Sequence, residues 1–461
     1  MYFHSERTDA HGTKVEAIAS ELRRRSGSGA SGGTISLRKG SVPHLVPDPK
    51  DPRYSRPKVD IGALDRVLEI DEQERTCTAE SAVTFADLVA KTLEKGLVPI
   101  VVPELKGITV GGAVSGCSIE SMSYRYGGFH DTCLEYEIVT GDGRVLECSR
   151  EENPEIFEMI HGSYGTLGIL TRVRFRLIPA GRYVRMRYTA LPDIEAYRLY
   201  LQEVCAEARH DFVDGIIHGP DHLTACCGDM VDEAPYVSDY TGTEVFYRST
   251  ADRDEDYLTI EDYLFRYDTE CHWLTRTIPG LGSLAESPLA AASDRGACGT
   301  CGSTRLISLS RRFRRLLDLK RRPDVVVDVF VPASRFVEFF RWYERDFDFY
   351  PLWIVPYRMR ELYPWISEER RERIGEERFF IDCAVYGRKN TDPEVDYSEL
   401  IERKVYELDG LKTLISRNHY DEVTFWRIYN RPLYERIKAE TDPQGVFDHL
   451  YRKTHPHHPH A

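Results

Sequence analysis

The sequence predicts a mixed α+β protein of two domains. Three observations carry this. The chain has 461 residues, more than one ordinary compact core holds. Strand-like and helix-like patterns interleave without the regular alternation of a βαβ ladder. From about Arg182 onward the chain is richer in Tyr, Trp, Asp and Glu, which sets a boundary near residue 180. The expected division is 1–180, 181–450, and a His/Pro-rich tail over 451–461.

The elements follow in order. "KVEAIASELRRR" is a helix with Val15, Ile18, Ala19 and Leu22 on one face, and "SGSGASGG" breaks it. "TISLRKG" is a strand. "KVDIGALDRVLEIDEQERTCTAES" is a strand, a short turn of helix, then two strands with a turn near Asp71–Glu74. "TFADLVAKTLEKGL" is a helix with Thr84 as N-cap and Gly96 as C-cap. "VPIVVPEL" is a short apolar extended run. "LEYEIVTGDGRVLECS" is a hairpin turning at Asp142-Gly143, "NPEIFEMIHGS" a helix and "GILTRVRFRLIPA" a strand. In the second part, "VVVDVFVPAS", "FYPLWIVPY" and "FFIDCAVYG" are strands, and residues 285–303 are weakly patterned.

Composition narrows the function. Hydrophobic residues at 41% and aromatics at 11% supply a sizeable core. A formal net charge of -14, from 61 basic and 75 acidic residues, disfavours nonspecific nucleic-acid binding. The sequence has neither a run of about 18 apolar residues nor a secretory leader in "MYFHSERTDAHGTK", so a cytoplasmic protein is expected. The 11 Cys then read as reduced thiols, with "CGTC" at 298–301 a loop rather than a zinc or redox motif.

Glycine placement points to a ligand. The GxGxxG match at Gly27, Gly29 and Gly32 lacks a preceding strand and a following helix, so it is not a dinucleotide fingerprint. "GITVGGAVSG" at 107–116 differs: Thr109 can cap a helical turn from Val110, and adjacent glycines expose backbone N–H groups. Such donors suit a diphosphate, and close packing of two backbone segments is the alternative. "SIESMSYRYGGFHD" follows with several hydroxyls, and "HGSYGTLGILT" adds Gly162, Gly165 and Gly168. Together these suggest one long ligand in a crevice between two α+β lobes.

"VVPELKGITVGGAVSGCSIESMSYRYG", "EIVTGDGRVLEC" and "SYGTLGILTRVRFRLIP" resemble the FAD-binding domain of the vanillyl-alcohol oxidase/p-cresol methylhydroxylase flavoproteins. "FYPLWIVPY", "FIDCAVYG" and "DEVTFWRIYNRPLYERIK" are similar to the Δ24-sterol reductase group, and "DYLTIEDYLFRYDTE" to reductases of 10-methylene fatty acyl chains. The resemblance runs from about residue 35 to about residue 450. It implies a two-lobed FAD-binding domain, an α+β substrate (cap) domain, and a C-terminal segment returning toward the flavin. It implies that Thr109, Val110, Gly111, Gly112, Ser115, Gly116, Ser118, Ile119, Glu120 and Ser121 lie along the pyrophosphate and ribityl chain. Tyr126 and Gly127 continue that set. It places Pro103 and Glu104 near the flavin, and Gly165, Thr166, Gly168 and Ile169 at the adenosine end. Many of these flavoproteins carry a flavin-bonded His in a loop where this chain reads "SGGTISLRKG", so noncovalent FAD is expected; His44 and His130 are other histidines to consider.

The implied activity is reduction of an isolated C=C bond of a lipid with NADPH or NADH as donor. The alternative is FAD-dependent oxidation of an alcohol, sugar or hydroxy acid; a flavin-binding protein without turnover is a third. Reduction needs an acid for one carbon and a hydride for the other. Candidate groups are Tyr267 and Asp268 in "FRYDTECHW" (with Arg266, His272 and Trp273), Tyr386 in "AVYG", Tyr357 in "IVPYR", and His419 and Tyr420 in "SRNHYDE". For each Tyr a core role with a satisfied hydroxyl is the bland reading. Residues 305–322, "RLISLSRRFRRLLDLKRR", read as a basic amphipathic helix suited to peripheral contact with an anionic membrane or to a phosphate.

Overall fold

A computed structural model describes residues 9–27, 33–40, 55–240, 245–268, 325–390, 392–415 and 417–455. Gly29, Gly32, His44, His272, Trp273, the CGTC stretch, the 305–322 block and residues 456–461 lie outside the described residues.

The architecture is mixed α+β with antiparallel sheets. Strands β1 (Ser36–Arg38) and β2 (Lys58–Asp60) form a small parallel pair. A six-stranded sheet holds β3 (Val67–Asp71), β4 (Thr76–Glu80), β5 (Leu97–Pro99), β6 (Cys133–Val139), β7 (Val145–Ser149) and β8 (Ile169–Pro179). Its order is β3-β4-β8-β6-β7, with β5 also paired to β8. An eight-stranded sheet begins a few residues later with β9 (Tyr183–Leu191). It continues with β10 (Phe212–Gly219), β11 (His222–Val231), β12 (Glu255–Thr259), β13 (Val325–Pro332), β14 (Leu352–Arg358), β15 (Phe379–Arg388) and β16 (Leu411–Lys412). Its order is β12-β9-β11-β10-β14-β15-β13-β16.

Local chemistry explains the elements. The first helix, Asp9–Gly27, buries Val15, Ile18, Ala19 and Leu22 against Val59, Ile61, Val139 and Ile169. Thr84 caps the helix Phe85–Leu93 by accepting from the Asp87 N–H, while Gly96, at φ 66°, comes after the cap residue Glu94. The β6–β7 hairpin turns at Gly143 (φ 80°), where a Cβ would sit 2.5 Å from Arg23 Cγ. No helix forms between β2 and β3, because the Asp60 side chain accepts the Gly62 N–H at 2.9 Å and makes a turn instead.

One face of the eight-stranded sheet packs Val325, Val327, Val329, Ile354, Ile381 and Cys383 against the helices Ile194–Glu207, Phe336–Trp342 and Tyr397–Glu407. The other face joins the six-stranded sheet in a common core that holds Met186, Phe212, Tyr357 and Phe380. The C-terminal helix Arg431–Thr441 returns to the first part: Tyr434 donates to Thr166 Oγ1 at 3.1 Å, and Lys438 to the Thr166 carbonyl at 2.8 Å. The helix Leu450–Thr454 also packs inward, with Tyr451 and His455 buried. Tyr451 and His455 each meet Phe425 edge to face, so ordered structure continues through 455, into the stretch expected as a tail.

Candidate functional site

The glycines of residues 107–116 divide their roles. A Cβ on Gly111 would lie 2.8 Å from Ser81 Cβ, and the Gly111 N–H donates to the Ser81 carbonyl at 2.8 Å. Gly111 therefore serves close backbone packing against Ser81. Gly112 differs: its nearest neighbours are Thr109 Oγ1 (3.0 Å) and Lys39 Nζ (3.4 Å from a built Cβ). Thr109 caps the helix Val110–Ser115, and Lys39 donates to the same hydroxyl at 3.1 Å. A cation, a hydroxyl and a bare backbone thus converge at Gly112. Gly165 (φ 71°) is likewise open, with Lys453 Nζ at 3.9 Å from a built Cβ. Gly168 instead packs on Ile138, and Val110, Thr166 and Ile169 are core residues. Ser115 closes its own helix onto the Gly111 carbonyl, and Gly127 (φ 80°) packs on Asp131 and Arg360.

Beyond Gly116 lies a cavity with about 860 Å³ of empty space including its mouth. Gly116, Cys117, Ile119, His130, His161 and Tyr164 wall it on one side. Phe330, Tyr357, Leu411, Thr413, Trp365 and Trp426 wall it on the other. The lining is largely aromatic and aliphatic. Unpartnered polar atoms belong to its lining nonetheless: the two ring nitrogens of His130 and the indole N–H groups of Trp365 and Trp426 have no hydrogen-bond partner among the described residues. Burial pulls His130 down to about 4, so it is neutral at pH 7.

Two acid groups gather at the inner face of the eight-stranded sheet, each joining sheet residues to a Glu from the glycine-rich part of the chain. In the first, Arg266 bonds Glu120 Oε1 at 2.8 Å and Asp214 Oδ2 at 2.7 Å, with all three side chains buried. Asp214 also accepts from Trp353 Nε1 (3.1 Å) and Tyr267 OH (3.3 Å), and Ser121 and Tyr263 exchange a hydroxyl bond of 3.0 Å. In the second, Tyr386 OH donates to Asp328 Oδ1 at 2.6 Å, and Thr413 Oγ1 to Oδ2 at 3.2 Å. Asp382 and Glu104 complete this group. Burial and the Asp328 charge push Glu104 up to about 8, while burial raises Asp328 and lifts Asp382 well above the carboxylate range. Buried carboxyls of one sign resist ionising together, so this group holds protons at pH 7.

The other candidates are placed as follows. Asp268 accepts the Lys106 N–H at 2.9 Å and so fixes the segment after Pro103 and Glu104. His419 and Tyr420 attach to the helix Tyr397–Glu407, through the His419 N–H to Glu402 Oε1 (2.8 Å) and Tyr420 OH to the Glu402 carbonyl (3.2 Å); neither lines the cavity. The structure brings Tyr386 and Glu104 into one group and Tyr267, Glu120 and Ser121 into the other. Sequence reasoning missed Lys39, Asp214, Asp328 and Asp382. For the last two a signal exists: a lone Asp midway along an apolar strand, "VVVDVFV" and "FFIDCAV", is costly unless it has a task.

These residues fit FAD. Lys39, Thr109 and Gly112 would hold a diphosphate, and the aromatic cavity with its waiting donors suits a flat ring bearing acceptor atoms. The FAD binding domain family matches residues 54–149. Human Delta(24)-sterol reductase is 26% identical over 444 aligned positions, covering 91% of this chain and 80% of that protein. The Arabidopsis thaliana Delta(24)-sterol reductase is 25% identical over 491 positions, covering 97% and 85%. Cytokinin dehydrogenase 5 of Arabidopsis thaliana is 34% identical over 136 positions, 29% of this chain and 25% of that one. The chain therefore carries an FAD-binding domain of the p-cresol methylhydroxylase type and is similar over most of its length to Delta(24)-sterol reductases.

Proposed function

We propose that this protein is an FAD-dependent oxidoreductase that reduces an isolated C=C bond of a lipid, sterol-like or methylene fatty acyl, with NADPH or NADH as donor. In this reading residues 1–180 form the two-lobed FAD domain and 181–450 the cap, with the C-terminal segment returning toward the flavin. One observation carries the substrate class. The cavity between the glycine segment and the cap strands is largely apolar and aromatic, and Asp328, whose carboxyl is raised above its usual range by burial, bonds Thr413 in the cavity wall. A lipid alkene needs such a pocket and such an acid; a sugar would need a polar lining.

Bound FAD would supply the hydride. The chain's residues would hold its diphosphate at Lys39 and Gly112, exclude water with the aromatic walls, and present a proton. Similarity to a Delta(24)-sterol reductase over most of the chain supports this activity, whereas the cytokinin dehydrogenase match is confined to a part of the chain and supports the FAD domain alone. Among the described residues no helix is long and apolar enough to cross a membrane. Peripheral contact through residues 305–322 belongs to the proposal.

The test is incubation of FAD-loaded protein with NADPH and, separately, a sterol with a side-chain double bond and a methylene fatty acyl lipid. Mass spectrometry should find a product heavier by one H2. If neither lipid is reduced while an alcohol or sugar is oxidised, the oxidase reading replaces this one. Gly112→Val should lower flavin content, because its side chain enters the space beside Lys39. Full flavin retention would remove Gly112 from the site.

A further inference from the structure

The strand register sets the acid group out on one surface. Asp382 pairs with Phe330 on β13 and with Val355 on β14, Asp328 with Ala384, and Val326 with Tyr386. Directly opposed residues in antiparallel strands share a face. Asp328, Asp382 and Tyr386 therefore all project from the side away from the three covering helices, toward the six-stranded sheet. Glu104 reaches the same place from the segment that Asp268 anchors.

Within that group Asp382 stands out. It is 1% exposed, and its Oδ1 has no hydrogen-bond partner among the described residues. Asp328 has Tyr386 and Thr413. An ionised Asp382 would be a buried negative charge beside Asp328, with no cation among the described residues in contact, so the acid form is the stable one. No group of three or more His, Cys, Asp or Glu among the described residues is spaced to hold a metal ion, which removes the usual alternative for clustered carboxyls. Asp382 stands one side chain behind the cavity and does not line it: its cross-strand partner Phe330 is in the wall, as is Thr413, which bonds Asp328.

We infer that Asp382 is the acid that protonates the substrate double bond, with Asp328, Tyr386 and Glu104 as the residues that keep it protonated and positioned. This rests on the ene-reductase reading above. In the step, the Asp382 O–H bond breaks and its proton forms a C–H bond with one alkene carbon, using the π electron pair. The other carbon, left electron-deficient, would take the hydride, with its electron pair, that bound FAD reduced by a nicotinamide would supply. Asp382 is left as a carboxylate, and a proton from the Glu104 carboxyl or from solvent restores it. The conditions are those of general acid catalysis: an acid still protonated at the working pH, in a dry site, near the basic carbon.

The experiment separates this inference from the reading beneath it. Wild type, Asp382→Asn and Tyr386→Phe are purified with FAD, reduced anaerobically with NADPH, and mixed with the lipid alkene while the flavin band is followed. Flavin content and bleaching by NADPH report that the cofactor site is intact. Asp382→Asn should keep both and recover the band with alkene at least about 100-fold more slowly; Tyr386→Phe should be slowed less and have a shifted pH profile. Infrared spectra should contain a protonated-carboxyl C=O stretch at neutral pH that Asp382→Asn removes. A run in D2O should place solvent deuterium on one product carbon. Recovery of Asp382→Asn at the wild-type rate, or no such infrared band in wild type, overturns the inference and leaves the ene-reductase reading standing. A wild type that no alkene reoxidises overturns both.

Discussion

The two faces of the eight-stranded sheet are built from alternate residues of the same strands, yet they carry opposite chemistry. Toward the helices, β13 presents Val325, Val327, Val329 and Val331, and β15 presents Ile381, Cys383 and Val385, all buried and apolar. One residue along in each case, the inner face presents Asp328 and Phe330, then Asp382 and Tyr386, with Asp214 and Trp353 on neighbouring strands. Both faces are dry. The helix-side face meets the demands of folding alone. The inner face puts acids into the interior, which stability alone disfavours, so that face answers to chemistry. The inner face itself is divided: Asp214 and Glu120 share the Arg266 cation, whereas among the described residues no cation contacts Asp382.

The largest effect should come from moving chemistry across the sheet. Val329→Asp puts an acid among apolar side chains at a position with 0% exposure and should cost more than about 4 kcal/mol, read as loss of cooperative thermal unfolding. A folded Val329→Asp protein with wild-type Tm would break the comparison. Next, Asp214→Asn removes one partner of the Arg266 pair and should cost about 3 kcal/mol in a denaturant midpoint. Asp382→Asn should be neutral or stabilising in the same measurement. If the two acids cost the same, they are not different kinds of group.

The dependence on pH sharpens the distinction. Glu104 at about 8, and Asp382 above the usual range, bind protons in the folded state that the unfolded chain releases near pH 4. Their stabilisation is present at low pH and declines as pH rises toward about 8. The groups facing them are Asp328 and Tyr386 on the sheet, with Glu120 and Arg266 acting on Glu104. His11 acts with the same sign: burial opposes its charge, but bonds to Glu137 and Glu80 raise it to about 8, and its contribution too is lost as pH rises through that value. The wild-type slope is thus composite, and the flattening of Tm against pH in Asp382→Asn reads the acid group by itself. An unchanged slope would mean that Asp382 is ionised throughout. The smallest effect is on the helix side, where Ile381→Val should cost about 0.5–1.5 kcal/mol and leave turnover untouched.

Much of this was legible in the sequence, for local reasons. Thr84 and Thr109 announce their helices by hydroxyl caps, Gly143 its hairpin, and "VVVDVFV" its strand. Glu104 and Tyr386 are also legible as candidates, the first through family resemblance and the second as a polar end to an apolar strand. What stayed hidden depends on pairing across long stretches of chain. That β13 lies between β15 and β16, which makes Asp328 and Asp382 neighbours, is set by tertiary register and not by any window of residues. The same holds for Lys39, 70 residues before the Thr109 it meets, and for Gly111, whose purpose is visible only once Ser81 lies against it. His419 and Tyr420 bond Glu402 on the helix Tyr397–Glu407 and are not in the cavity wall, a placement no local pattern shows.

The most direct test of the account is an anaerobic cycle on the FAD-loaded protein. NADPH is titrated in while the visible flavin band is watched, excess donor is removed, and the lipid alkene is added without oxygen. The account predicts that the band bleaches with NADPH and returns with the alkene, one flavin reoxidised for each double bond reduced. A band that no alkene restores, and that an alcohol or sugar bleaches in place of NADPH, would contradict it.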